Sequence, residues 1–323
     1  MNSTLPEFLL ESNIDIVPSA LLSDYTTFRL GGQCQALLKC QTPEELITIV
    51  KLLIQHHKKF ILIGGGSNLV VSDQGLECYV IRYLSDSPII ERNNTTLMVS
   101  GSTILDDLVI YAAENGLQGI NYCSGIPGTV GGAVAGNAGA FGQQVGDIVK
   151  SVTLIDKAGQ IKTVTPDQLG FAYRHSHLKE TSDIVVSVQL SMSSGSIDEL
   201  QKERQDILAI RKEKHPDLKQ YPCAGSFFRN IEPTSKAGKR QAAGWFLEEA
   251  GGKALQEGGA KIFPKHANII IKSENCTAED VLNLSKKMQD IVKNKFDLDL
   301  VREVRFVGPF KNKSTDEHNT VIW

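Results

Sequence analysis

Ser124-Gly125-Ile126-Pro127-Gly128-Thr129-Val130-Gly131-Gly132-Ala133-Val134-Ala135-Gly136-Asn137-Ala138-Gly139-Ala140-Phe141-Gly142 holds eight glycine or proline residues in nineteen, and most of the others are small. Glycine reaches positive φ and carries no Cβ, so such a run lets backbone N–H groups approach a ligand closely. Successive amides in a turn form a concave anion site, which an adjoining helix N-terminus strengthens. Small residues also let two elements pack tightly, but this density of glycine favours the ligand loop.

A second cluster, Gly64-Gly65-Gly66-Ser67-Asn68, directly follows the buried-type strand Phe60-Ile61-Leu62-Ile63. It lacks the spacing and the lysine of a Walker A loop, and it fails G-x-G-x-x-G because Asn68, Leu69 and Val70 follow the serine. Alone it reads equally as a tight turn. Two glycine-rich loops about sixty residues apart fit one ligand with a long, pyrophosphate-bearing body.

Composition narrows the class. The chain has 323 residues, a hydrophobic fraction of 41% and a net charge of −3. That is enough chain for a substantial core and two or three domains, and it carries no basic footprint for nucleic acid. No apolar run approaches the ~20 residues that span a bilayer. The first residues carry neither the basic nor the apolar region of a secretory leader, so a cytoplasmic protein is expected. Cys34, Cys40, Cys78, Cys123, Cys223 and Cys276 are scattered without a C-x-x-C pair, as free thiols are.

The pattern along the chain is α+β. Residues 25–32 read as a strand ending in a turn, and 36–40 as a second short strand. Thr42-Pro43-Glu44-Glu45 is a capping box, opening a helix with Leu46, Ile49, Val50 and Leu53 on one face. Strands are predicted at 97–101, 148–155, 161–164 and 184–190, with a helix from Leu105 to about Asn115. A charged helix runs from Ser196 to Lys214, where Pro216 ends it. Beyond it come a short helix at 244–252, a strand at 266–272, a long helix capped by Thr277 and a strand at 298–307.

Three spots carry chemistry outside the loops. Tyr173-Arg174-His175-Ser176 gathers hydroxyls, a cation and an imidazole. Ala224-Gly225-Ser226-Phe227-Phe228-Arg229-Asn230 sets a serine beside a glycine, and Glu303 places a carboxylate in an apolar strand. Each has a plain structural reading: a surface ion pair, a turn former, the solvent face of an edge strand. Ser226 has no G-x-S-x-G context, and His175 and His266 have no metal spacing.

Six segments in order, Gly64–Asn68, Ser124–Gly132, Tyr173-Arg174-x-Ser176, Ala224–Asn230, Lys265-His266-Ala267-Asn268 and Glu303-Val304-Arg305, resemble the motif set of the UDP-N-acetylenolpyruvoylglucosamine reductases. The likeness runs from about Tyr25 to Gly308. It implies a two-part FAD-binding region of the vanillyl-alcohol-oxidase type over residues 1–85 and 86–214. An α+β substrate-binding domain at 215–310 and a polar tail at 311–323 then follow. It implies non-covalent FAD held by Gly64, Gly65, Gly66, Ser67, Asn68, Ser124, Gly125, Pro127, Gly128, Gly131, Gly132 and Ala133. NADPH is the implied hydride donor, and a nucleotide sugar meeting Tyr173, Arg229, Asn230, His266 and Asn268 is the substrate.

By the same resemblance, Arg174 stabilises charge on the substrate carboxylate, Glu303, protonated, is its carboxyl partner, and Ser226 donates the proton. Ile231 and Glu232 stand where the family often has proline, Ile269 where it usually has an aromatic residue, and Lys272 where asparagine is frequent. The insertion carrying a tyrosine loop in longer members is missing, which implies the shorter type; a monomer is expected. Another oxidase of the same flavin fold, or a non-catalytic nucleotide-binding module, is the competing expectation.

Overall fold

The computed structural model describes residues 5–232 and 240–311. The chain first builds a four-stranded sheet from β1 (Asp15–Pro18), β2 (Cys34–Cys40), β3 (Phe60–Ile63) and, beyond the short β4 (Leu69–Val71), β5 (Leu76–Tyr83). Its order is β1-β2-β5-β3, with β2, β5 and β3 parallel and β1 antiparallel at the edge. Helix α1 (Pro43–Gln55) links β2 to β3; Thr42 and Glu45 close the capping box, and Leu46, Ile49, Val50 and Leu53 are fully buried. The first glycine loop leaves the C-terminal end of β3. Ligands of open α/β sheets bind at such strand ends.

A second, antiparallel sheet follows. Strands β6 (Ile90–Asn93), β7 (Thr96–Ser100), β8 (Val149–Ile155), β9 (Ile161–Val164) and β10 (Ile184–Ser191) are ordered β9-β8-β10-β7-β6. Helices α2 (Leu105–Glu114) and α3 (Val130–Gly136) cover it, and Leu97, Val99, Leu108, Val134 and Val188 fill the interior. Ile155, Ile184 and Val186 pack into the cluster of α1 and the first sheet, so the two sheets share a core. The charged helix α4 (Ile197–Lys214) buries only Leu200 and Ile207. Polar contacts hold it instead: Arg204 grips Asp106 of α2 with two bonds of 2.7 and 2.8 Å.

The last layer is a sheet of β11 (Cys223–Ser226), β12 (Gln256–Glu257), β13 (Ala260–Phe263) and β14 (His266–Lys272), with α5 (Ala243–Glu249) inserted after β11. Helix α6 (Ala278–Phe296) presses Val281, Leu284, Met288 and Val292, all fully buried, against it. The chain then returns: β15 (Arg305–Val307) pairs in parallel with β4, 235 residues away at the neighbouring bond of Glu303 to Asn68.

Two predicted strands are corrected. Residues 25–32 form a turn and a loop because Phe28 and Leu30 sink into the core of the last layer instead of alternating across a sheet. Thr27 Oγ1 donates to Cys223 O at 2.7 Å and Lys272 Nζ to Arg29 O at 2.7 Å, which pins this loop. The strand expected at 298–307 shrinks to Arg305–Val307, since Val301 and Glu303 bond to Arg229 and Phe227 in an isolated bridge instead of to a continuous neighbour. The polar tail predicted beyond Lys311 lies outside the described residues. Among those described, no helix is long and apolar enough to cross a membrane, and all six cysteines are free and buried.

Leu284, fully buried on α6, tests the last layer. Leu284→Ala should lower unfolding stability by about 2–5 kcal/mol, read as a fall in urea midpoint at unchanged slope.

Candidate active site at the meeting of two glycine loops and a cationic cluster

The two glycine loops lie against each other. Ser67 Oγ donates to Pro127 O at 2.9 Å. A Cβ on Gly65 would stand 3.1 Å from Gly128 Cα, and one on Gly64 would stand 2.4 Å from Thr129 Oγ1. Gly66 sits at φ +62°, and a Cβ there would come within 2.2 Å of Tyr25 O. Space requires glycine at 64 and 66, and at Gly66 the positive φ does so as well. Among the described residues, the amides of Gly65, Gly66, Ser67, Asn68 and Gly128 donate to no protein acceptor. Such a cradle of free N–H groups suits a pyrophosphate.

The rest of the second loop does different work. Ser124 is fully buried and its Oγ donates to Asn121 O at 2.6 Å. Gly125 N–H donates to Asp106 at 2.7 Å, while its carbonyl accepts from Arg211 at 3.2 Å. Burial alone would raise the Asp106 pKa, but its bonds from Arg204 and Gly125 outweigh this and hold it below the usual carboxylate value. Gly131 N–H donates to Gly101 O, and Gly132 N–H to Thr129 Oγ1. Ala133 packs into the core. Ser124, Gly125, Gly131, Gly132 and Ala133, expected to bind a cofactor, thus also have partners within the protein. They brace the loop, and Pro127–Thr129 is the part that meets Gly64–Ser67.

Arg174 and Glu303, distant in sequence, touch. Arg174 Nε lies 3.1 Å from Glu303 Oε1, both side chains being a little over one-fifth exposed (23% and 22%). The N–H is not aligned with that contact, and Nε makes no hydrogen bond. Arg174 Nη2 also donates to Gly139 O at 2.7 Å. Glu303 is fixed by its main chain: its N–H donates to Phe227 O at 2.9 Å, and Asn68 Nδ2 donates to its carbonyl at 3.1 Å. Ser226 immediately precedes Phe227, after a turn at Gly225 with φ +77°. One short path thus joins Arg174, Glu303, Ser226 and the first glycine loop.

Tyr173 Oη accepts from Asn230 N–H at 3.2 Å, and the guanidinium of Arg240 lies 3.9 Å from its ring centroid. Arg229 Nε is buried without a hydrogen bond. Asn230 Oδ1 accepts from Ala243 N–H, capping α5. Asn268 is only 2% exposed; it accepts from Phe228 N–H at 2.9 Å and donates to Phe228 O at 2.8 Å. Its side chain thereby supports the Ser226 segment. His266 Nδ1 accepts from Asn268 N–H at 3.2 Å, and burial lowers the His266 pKa, as a neutral supporting ring requires.

Sequence reasoning missed Lys179 and Arg305. Burial pushes the Lys179 pKa down to about 8; Arg229, Arg305 and Arg174 act in the same direction, and Glu303 opposes them. Burial, then Arg229, also lowers the Arg305 pKa. Arg174, Lys179, Arg229 and Arg305 thus surround a single carboxylate, leaving an excess of positive charge for an anion. Arg305 was visible two residues beyond Glu303; Lys179 carried no signal beyond its nearness to Arg174.

Free loop amides beside a cationic pocket define a nucleotide-cofactor protein, and a family profile for an FAD binding domain matches residues 34–165. A second profile, the C-terminal domain of UDP-N-acetylenolpyruvoylglucosamine reductase, matches residues 216–307. The reductase of Caldanaerobacter subterraneus is 35% identical over 284 residues, covering 88% of this chain and 91% of that protein. That of Lactobacillus acidophilus is 34% identical over 300 residues, covering 93% and 97%. The solved reductase of Thermus caldophilus superposes with a TM-score of 0.73 at 31% identity, covering 91% of this chain and 98% of that one. The chain belongs to the UDP-N-acetylenolpyruvoylglucosamine reductase family.

Gly66→Ala should strain the first loop by roughly 1–3 kcal/mol. FAD titration of the apoprotein, followed by flavin fluorescence, should then show about tenfold to hundredfold weaker binding.

Proposed function

We propose that this chain reduces the enolpyruvyl double bond of UDP-N-acetylenolpyruvoylglucosamine to give UDP-N-acetylmuramate for peptidoglycan synthesis. The observation that carries the reading is the Arg174–Glu303 pair, fastened to the Ser226 segment on one side and to Asn68 of the glycine loop on the other. When bound, FAD supplies hydride transfer from NADPH to the terminal alkene carbon. The free amides of Gly65–Asn68 and Gly128 would hold its pyrophosphate.

Hydride addition at one alkene carbon drives negative charge through the other into the substrate carboxylate. The Arg174 guanidinium, turned by Glu303 and Gly139, stabilises that charge most where it is greatest, in the transition state. Ser226 Oγ gives a proton to the carbon that carries the charge, and Arg229 favours the alkoxide left behind. A serine is a weak acid, but a carbon so basic accepts its proton at hydrogen-bond range. Tyr173, Arg229 and Asn230 take the nucleotide-sugar end, with Asn268 and His266 behind them.

The division of labour follows the layers: residues 1–85 and 86–214 for the cofactor, 215–310 for the substrate. We read the chain as a monomeric cytoplasmic enzyme, its net charge of −3 carrying no basic footprint for nucleic acid.

Anaerobic reduction with NADPH, then addition of UDP-N-acetylenolpyruvoylglucosamine, should restore oxidised-flavin absorbance. In Ser226→Ala this second step should slow by roughly 10²–10⁴-fold, while reduction by NADPH stays near the wild-type rate. A variant with both half-reactions intact removes Ser226 from the chemistry.

A further inference from the structure

Arg174 occupies a backbone conformation that an arginine rarely adopts. The turn Ala172-Tyr173-Arg174-His175 is closed by Ala172 N–H to His175 O at 3.1 Å and His175 N–H to Ala172 O at 3.0 Å. Arg174 takes its third position at φ +54°, where glycine or asparagine is ordinarily found. A non-glycine residue keeps such a φ only when its surroundings hold it there. Three contacts do so. Asn137 Nδ2 donates to Ala172 O at 2.7 Å, Arg174 Nη2 to Gly139 O at 2.7 Å, and Lys179 Nζ to the carbonyl of Arg174 itself at 2.7 Å.

The third contact needs its own explanation. A partly buried ammonium beside Arg174, Arg229 and Arg305, with only Glu303 to offset it, is electrostatically costly. Sequence-neighbouring Glu180 lies 3.3 Å from His175, and it is not among the charges acting on Lys179. Its contact with the carbonyl of the strained residue gives the lysine a function that a bare fourth cation would lack.

We propose that Lys179 is a positioning residue whose ammonium, bonded to the Arg174 carbonyl, holds that guanidinium where the reacting carboxylate lies. This rests on the role given to Arg174 above. The charged form makes the stronger bond, since charge-assisted hydrogen bonds are roughly twice as strong as neutral ones. The lysine loses its proton as pH rises through about 8 in the free protein. Support for Arg174 is therefore full below that pH and falls to a lower plateau above it. A bound anionic substrate moves the change to higher pH.

The test is single-turnover reoxidation of the reduced flavin by UDP-N-acetylenolpyruvoylglucosamine, with limiting rate and substrate dissociation constant measured separately from pH 6.5 to 9.5. In Lys179→Met the limiting rate should fall about tenfold at pH 7, because a misplaced guanidinium fails in the transition state. Lys179→Arg should recover most of the rate, and its second-order rate constant should lack the wild-type decline near pH 8. An unchanged limiting rate in Lys179→Met, with or without weaker substrate binding, overturns the proposal. If Lys179→Met does not fold, the arginine variant decides: a decline near pH 8 identical to wild type overturns it equally. Wild-type protein whose reduced flavin the substrate fails to reoxidise would instead overturn the functional reading on which the proposal stands.

Discussion

Glu303 is held from three sides, and the geometry of the site follows from that grip. Its amide bonds to Phe227, its carbonyl takes the side chain of Asn68, and its carboxylate stands against Arg174. Each contact reaches a different part of the chain: the last layer, the first glycine loop and the turn between β9 and β10 of the second sheet. Each main-chain hydrogen bond contributes only about 0.5–1.5 kcal/mol net. Their value lies in direction, because the two main-chain bonds fix the Cα of Glu303 so that its side chain starts beside the guanidinium.

The charge balance around that residue serves binding at some cost to stability. Four cations around one carboxylate repel each other in the free protein, and burial penalises Lys179 and Arg305 further. An anionic ligand relieves both penalties, so affinity is stored in the empty site as electrostatic strain. The same logic explains why the glycine loops keep several amides without protein partners. Unpaired donors near the surface are solvated until a phosphate replaces the water.

The sequence displayed the fold's regular parts well. The capping box at Thr42–Glu45, the apolar face of α6 and the buried stripe of β3 are local patterns, and each became the expected element. Residues 25–32 misled because Phe28 and Leu30 satisfy a core made by residues two hundred positions onward, which no local period encodes. In the site, the loops were legible from glycine density, and Arg174, Ser226 and Glu303 from the family resemblance. The bracing contacts of Asn268 were not legible, because a polar residue in a motif looks alike whether it faces a ligand or braces a backbone. The paired bonds to Phe228 come from the fold alone. Lys179 was missed because its importance arises from the turn geometry of Arg174, and turn geometry for a non-glycine residue is set by tertiary contacts.

The parallel pairing of β15 with β4 has a bearing on how the polypeptide acquires activity during synthesis. The bond of Asn68 to Glu303 spans 235 residues, so the early loop and sheets can consolidate while the ribosome is still making the final helix. The Arg174–Glu303 pair cannot be assembled until almost the last described residue has emerged. A nascent chain arrested short of Glu303 has the glycine loops but neither that carboxylate nor the closing strand.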